Sequence, residues 1–311
     1  MHVPVMLGET LDYLSVRPEG VYLDATAGLG GHSAAIARRL TTGLLIACDR
    51  DAESLEKARA ATAAWASRIH FHQALFSQLG EVLAAESATL QGAHNAARRD
   101  SSEAGSEAPR AVRLQLDGLL ADLGASRYQL TESERGFSLM ADGPLDMRMS
   151  RAQQRTAADF VNFESEKELA RLIYELGEER RSRKIARAIV RGRPINTTGQ
   201  LAKLIEGVAP RTGKLHPATQ TFMALRIAVN NEMEELDALL GSIPDLVKPG
   251  GRAVVITFMS LEDRKVKQSF QAMARTGRAK LLTRHVVRPA PEEIRDNPPS
   301  RSAKLRAIEL L

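Results

Sequence analysis

From Asp24 to Ser33 the chain reads Asp-Ala-Thr-Ala-Gly-Leu-Gly-Gly-His-Ser, an acidic residue and a glycine-rich turn leading into a helical pattern. Glycines in such a turn let the backbone come close to a ligand, and the helix N-terminus behind them presents free N–H groups. Asp49 stands 21 residues after Gly28, at the end of a second apolar stretch. A carboxylate there can accept hydrogen bonds from both hydroxyls of a ribose. Turn and carboxylate together serve NAD and S-adenosylmethionine alike. Two features favour the methyl donor. Asp24 puts negative charge before the turn, where a pyrophosphate would be repelled, and the chain closes with strand patterns rather than a second mononucleotide half.

A further carboxylate, Asp122 in Asp122-Leu123-Gly124, ends another apolar run and so falls at the carboxyl edge, where such sheets bring substrate to cofactor. It could touch the cofactor, or accept a hydrogen bond from an exocyclic amine and align its lone pair for methyl attack. His32 lies within the turn, in reach of the same ligand. His70 and His72 alternate along a strand and lack the helical i, i+4 spacing of a metalloprotease pair, so no metal is expected. Cys48 is the single cysteine. No disulfide, Cys-based zinc site or iron-sulfur cluster can be built from it. Because it lies inside an apolar strand, methylation at C5 of a pyrimidine, which needs a thiolate to add to the ring, is disfavoured as well. Direct attack by an amine or hydroxyl fits better.

These side chains must be held by strands. Val21–Ala25, Leu44–Cys48, Ile69–His72, Asp117–Leu123 and Arg252–Phe258 read as buried strands, the first two followed by helical patterns, and this alternation predicts an α/β fold with a parallel, Rossmann-like sheet. Lys280–Val287 and Lys304–Leu310 read as two closing strands. Between the fourth and fifth strands the apolar spacing turns helical, as in Leu169, Leu172, Ile173 and Leu176, which predicts an inserted helical domain. The boundaries are placed at 1–130 and 217–311 for the sheet domain and 131–216 for the insertion. Glu86 to Arg113, rich in Ala, Ser, Glu, Gly and Arg, is expected to be a disordered surface excursion.

The chain has 311 residues, 43% hydrophobic and 26% charged, which excludes a wholly disordered or collagenous protein. No apolar run reaches the roughly 18 to 20 residues of a membrane span. The N-terminus lacks the pattern of a signal peptide, and a cytoplasmic protein without membrane partners is expected. The net charge of +5 is unevenly distributed. Arg135–Lys214 carries 16 basic and 10 acidic residues, and Arg278–Leu311 carries 8 and 4, so that a polyanion-binding surface competes with ordinary solvated helix faces. The densest stretch, Glu178–Arg193, has seven basic and two acidic residues. An apolar stripe of Ile185, Ile189 and Val190 would pin one side of that helix, leaving Arg180, Arg181, Arg183, Lys184, Arg187 and Arg191 around the rest of its circumference.

Longer motifs stand in a familiar order: His2-Val3-Pro4-Val5-Met6-Leu7, the Asp24 to Ser33 turn, Asp117 to Gly124, Arg135-Gly136-Phe137-Ser138, Asp142-Gly143-Pro144-Leu145-Asp146-Met147-Arg148-Met149, Gly177-Glu178-Glu179-Arg180, His216-Pro217-Ala218-Thr219, Ser260-Leu261-Glu262-Asp263-Arg264 and Asn297-Pro298 through Arg301-Ser302-Ala303-Lys304-Leu305-Arg306. In these the chain resembles the bacterial 16S rRNA cytosine-N4 methyltransferases, over almost its whole length except Glu86 to Arg113. The resemblance implies an S-adenosylmethionine-dependent methyltransferase with an inserted helical substrate-binding domain. It also implies N4-methylation of a cytosine in the decoding region of 16S rRNA, within the small ribosomal subunit. Carried over position by position, the cofactor contacts are Gly30, Gly31, His32, Asp49, Phe76, Asp122 and Gln129, with Asp122 also the candidate catalytic residue. Two polar positions of the family pattern are methionine here, Met223 and Met259, and Arg127 replaces a usual serine. The alternatives are a methyltransferase acting on another nucleic acid or a protein, or a catalytically silent RNA-binding assembly factor.

Overall fold

The computed structural model describes residues 4–100, 114–211 and 216–311, the side chains of 93–100 excepted. The chain forms two compact units, residues 1–124 with 235–311 and residues 125–234. In chain order the first segment supplies α1 (Leu7–Leu14), β1 (Val21–Asp24), α2 (Gly31–Arg39), β2 (Leu44–Asp49), α3 (Ala52–Ala61), β3 (Ile69–Gln73), α4 (Leu79–Asp100) and β4 (Leu116–Asp122). Then come α5 (Arg127–Thr131), α6 (Ala157–Phe163), α7 (Glu166–Glu175), α8 (Ser182–Arg191), α9 (Thr198–Val208) and α10 (Thr219–Asn230). The chain continues through α11 (Glu232–Leu246), β5 (Val247–Thr257), α12 (Ser260–Arg275), β6 (Ala279–Leu281), α13 (Pro291–Asp296) and β7 (Lys304–Leu310).

The first unit is built on one seven-stranded sheet of order β3-β2-β1-β4-β5-β7-β6. The five strands from β3 to β5 run parallel, and β7 lies antiparallel to both β5 and β6. Residues Leu116 to Ala121 of β4 are all buried, as expected of a parallel strand covered on both faces, where an apolar run replaces alternation. The order reverses between β1 and β4, and beyond the carboxyl ends of those two strands lies the crevice in which open α/β sheets bind ligands. The predicted strand Lys280–Val287 is shorter than expected: β6 stops at Leu281, and Val287 joins Leu305 by an isolated bridge.

The expected excursion from Glu86 is corrected as far as Asp100, which continues α4 as helix, while residues 101–113 lie outside the described residues. Leu79 and Leu83, one helical turn apart, are fully buried and anchor the start of α4. Glu86, 6% exposed, accepts hydrogen bonds from both histidines of β3, 2.7 Å from His70 Nδ1 and 2.6 Å from His72 Nε2. The period of two in a strand puts these histidines on one face, and one buried carboxylate bridges them.

The second unit is helical, with Leu169 and Ile173 of α7, Ile185 and Ile189 of α8, Leu201 and Ile205 of α9 and Phe222 and Leu225 of α10 in its core. Its extent differs from the expected 131–216, since α10 packs here against α6 and α7. The segment from Arg135 to Met149 is threaded through this core. Arg135, 2% exposed, donates to the carbonyls of Arg148 and Met149. Asn230 is fully buried, accepting from Met149 N at 2.8 Å and donating to Met147 O at 2.7 Å. Asp142 accepts from Gly199 N at 2.8 Å at the start of α9. The Asp-Gly-Pro-Leu-Asp-Met-Arg-Met motif is thus an architectural tie, with Leu145, Met147 and Met149 buried.

Candidate cofactor and active site

The glycine turn follows β1. Asp24 is fully buried and takes no outward role: Ser33 Oγ donates to it at 2.6 Å and Thr26 N at 3.1 Å, so that it ties the strand end to the first turn of α2. Gly28 and Gly30 adopt positive φ, 52° and 84°. Gly30 is the N-cap of α2 and Gly31 its first residue. A Cβ on Gly30 would lie 3.1 Å from Ala58 Cα and 3.2 Å from Ala58 O, so this glycine serves the approach of α2 to α3. A Cβ on Gly28 would meet only Thr26 O, at 3.7 Å, and this glycine leaves open space at the turn.

Asp49, half-buried at the end of β2, accepts from Gly28 N at 2.8 Å and from Asp51 N at 2.9 Å. Each carboxylate oxygen keeps a second lone pair after these bonds. Burial pushes its carboxyl up to about 6, against the pull of the two backbone N–H groups. Asp24 is likewise pushed up to about 6 by burial. Beside Asp49, Ala74 N donates to Asp49 O at 3.0 Å, and Phe76 begins the short 3₁₀ turn just beyond, half-buried.

Asp122 closes β4. Its N–H donates to Thr26 Oγ1 at 2.6 Å, which brings the end of β4 against the turn. Its Oδ2 lies 3.7 Å from His32 Nδ1, while Oδ1 is buried without a hydrogen-bond partner among the described residues. Desolvation, with the charges of Asp24 and Glu262, holds this carboxyl well above the usual carboxylate range. His32 is 6% exposed, and its Nε2 stands 3.0 Å from Val5 O.

Six of the seven expected contacts, Gly30, Gly31, His32, Asp49, Phe76 and Asp122, thus belong to one unit and line the carboxyl edge of β1, β2, β3 and β4. Gln129 belongs to the second unit, where its Oε1 accepts from Ser126 N at 2.9 Å in the N-terminal cap of α5. Glu262 went unnoticed as a separate feature of the sequence: 2% exposed, it accepts from Phe258 N at 3.0 Å and Met259 N at 3.1 Å at the start of α12. With methionine at the N-cap the usual Ser/Thr-x-x-Glu signature is missing, so nothing in the sequence marked it. Met259 is buried, and Met223 is half-buried on α10. Cys48 is fully buried in β2, its thiol pushed up by desolvation and the charges of Asp24 and Asp49. Among the described residues no helix is long and apolar enough to cross a membrane, and no three His, Cys, Asp or Glu side chains are grouped to hold a metal ion.

A model of the MraW methylase family matches residues 1–311. Among curated proteins, "Ribosomal RNA small subunit methyltransferase H" of Solibacter usitatus is 56% identical, with all of both chains covered. The protein of the same name from Acidobacterium capsulatum is 49% identical over 99% of this chain and 98% of its own, and that of Koribacter versatilis 47% identical over 98% and 93%. With a family match along its whole length and relatives at these identities, the chain belongs to the MraW methylase family.

Proposed function

We propose that this protein methylates the N4 amine of a cytosine in the decoding region of 16S rRNA, with S-adenosylmethionine as donor. The observation that carries this reading is the edge of β1, β2 and β4. There an open glycine turn, a half-buried carboxylate with spare lone pairs and a buried carboxyl oxygen without a partner come together. The names of the relatives, ribosomal RNA small subunit methyltransferase H, support the substrate.

The residues fit the donor. Asp49 has acceptor capacity left for ribose hydroxyls, the Gly28 to His32 turn leaves room for close approach, and the half-buried Phe76 ring offers a face for adenine stacking. The resemblance assigns Gln129 to the same ligand. When bound, S-adenosylmethionine supplies a methyl group made electrophilic by its sulfonium. The N4 amine of cytosine is conjugated with its ring and is a weak nucleophile, so an acceptor must orient it and finally take its proton. Asp122 is suited to both tasks. Its Oδ1 has no hydrogen-bond partner among the described residues, and its raised carboxyl has the proton affinity that general-base work requires once it is ionised. Cys48, enclosed in β2, offers no thiolate for addition to a pyrimidine ring. The second unit is the candidate substrate-binding domain, the target base must leave its stack to be reached, and the setting is the cytoplasm.

Small ribosomal subunits from cells lacking this protein, incubated with it and tritiated S-adenosylmethionine, should yield label in N4-methylcytidine after digestion of the 16S rRNA. Label in C5-methylcytidine or in ribosomal protein would point to a different acceptor. No transfer at all would leave an assembly factor.

A further inference from the structure

The helix α8 has the sequence Ser-Arg-Lys-Ile-Ala-Arg-Ala-Ile-Val-Arg, with no acidic residue. Ile185, Ala186 and Ile189 are fully buried in the core of the second unit. At 3.6 residues per turn, Arg183, Lys184, Arg187 and Arg191 fall within an arc of about 100° on the opposite side. All four are exposed, as is Arg180 just before the helix. The ion pairs of this region stop short of the arc. Arg181 turns to the buried Glu179 and to Pro210 O, and Arg187 makes a solvent-exposed contact with Glu166 at 3.4 Å, a pair worth little in water. Arg183, Lys184 and Arg191 make no ion pair or side-chain hydrogen bond among the described residues.

This arrangement opposes local electrostatics in two ways. Arg183 and Lys184 occupy the first turn, where the helix dipole disfavours cations. Arg183 with Arg187, and Arg187 with Arg191, are like-charge pairs at i, i+4, an arrangement that destabilises a helix. The neighbouring α7 is built the other way: Arg171 pairs with Glu168 at 2.7 Å and with Glu175 at 2.8 Å on the same helix. Apart from the exposed Glu166 contact of Arg187, this row of cations, at about 6 Å intervals along the axis, has no counter-charge among the described residues. Three of the four are arginines, whose planar forks match phosphate bidentately.

We infer that the outer face of α8, formed by Arg183, Lys184, Arg187 and Arg191, docks the sugar-phosphate backbone of the RNA substrate. The inference rests on the proposed rRNA methylation. Phosphate contacts on this face position the strand, and they carry no sequence information.

The test uses the full-length protein and small ribosomal subunits from cells lacking it, with affinity measured across a series of KCl concentrations. The triple variant Arg183→Ala, Lys184→Ala, Arg191→Ala should lower the slope of log affinity against log salt by about 2 to 3, with melting temperature and S-adenosylmethionine affinity unchanged. Arg183→Glu provides an independent check. It places a carboxylate where the helix dipole favours it, so it should weaken RNA binding without weakening the helix. Unchanged slopes in both variants, with wild-type protein still methylating the RNA, would overturn the docking face and leave the methylation intact. A wild-type protein that neither binds nor methylates the RNA would overturn the methylation and this inference with it.

Discussion

His32 stands between two oxygens, with Nε2 3.0 Å from the Val5 carbonyl and Nδ1 3.7 Å from Asp122 Oδ2. A carbonyl can only accept, so Nε2 carries a proton, and the neutral imidazole turns its Nδ1 lone pair toward Asp122. The position of one shared proton distinguishes neutral His32 beside a carboxylic acid from an imidazolium beside a carboxylate. Desolvation, Asp24 and Glu262 hold Asp122 well above the usual range, so its charged form is disfavoured in the fold and the carboxyl must give up its own proton before it can take one from the amine. Asp122→Asn should therefore keep or raise the melting temperature at pH 8, while kcat for methyl transfer falls by about 100-fold through loss of the proton acceptor. A lower melting temperature would show that an ion pair with His32 dominates instead.

Asp49→Ala should weaken S-adenosylmethionine by about 10- to 100-fold, the equivalent of charge-assisted hydrogen bonds worth roughly 1.5 to 3 kcal/mol. Calorimetry checks this directly. With its carboxyl at about 6, Asp49 is ionised above that pH, so the wild-type affinity should be flat from pH 7 to 8 and decline on acidification below 6. Unchanged affinity in the alanine variant would remove Asp49 from the site.

The buried Asp24 gives a pH signature in stability. Its folded-state carboxyl, at about 6, lies above the ordinary 3.8. Its contribution to stability is therefore fully present below the unfolded value and is lost as pH rises through about 6. Asp24→Asn carries no such titration. The stability of the variant relative to wild type should rise between pH 4 and 7 and level off above, as read from urea midpoints at each pH.

The two turn glycines should separate stability from binding. Gly30→Ala meets α3 at a positive φ and should cost about 1 to 3 kcal/mol of stability. Gly28→Ala, with open space around its Cβ, should cost about 1 kcal/mol and lose more in cofactor affinity than in melting temperature. Thermal melts with and without S-adenosylmethionine distinguish the two.

Glu86→Ala should destabilise the protein by about 1 to 3 kcal/mol, since two histidines lose their partner at once. Although burial raises the carboxyl, the hydrogen bonds and charges of His70 and His72 outweigh it and hold Glu86 below its ordinary value of 4.5. That contribution is present above the ordinary pKa and is lost as pH falls through the lowered one. The gap between wild type and variant should accordingly close in acid.

The parallel strands and the glycine turn were legible because buried strands read as continuous apolar runs and because positive φ selects glycine. The carboxylates Asp49 and Asp122 followed from their places at strand ends. What the residues alone did not disclose was tertiary. Glu86 lies in a polar, alanine-rich stretch whose helix is specified by Leu79, Leu83 and a clasp to a strand earlier in the chain. The boundary at α10 was missed because Phe222, Leu225 and Val229 show only that one face is buried, not which core receives it. Asp24 read as a ligand-facing charge, yet Ser33 captures it, a choice made by side-chain geometry within the turn.

The sheet order also bears on how the protein is made. β7, residues 304–310, is inserted between β5 and β6, and the first unit is split around residues 125–234. During vectorial synthesis the helical unit emerges as one continuous stretch and can collapse on its own contacts while β1 to β4 still present the edge of β4 that β5 will later cover. The nascent sheet thus waits through more than a hundred residues for its fifth strand and longer still for β7, an interval in which an exposed strand edge invites wrong pairing or chaperone capture.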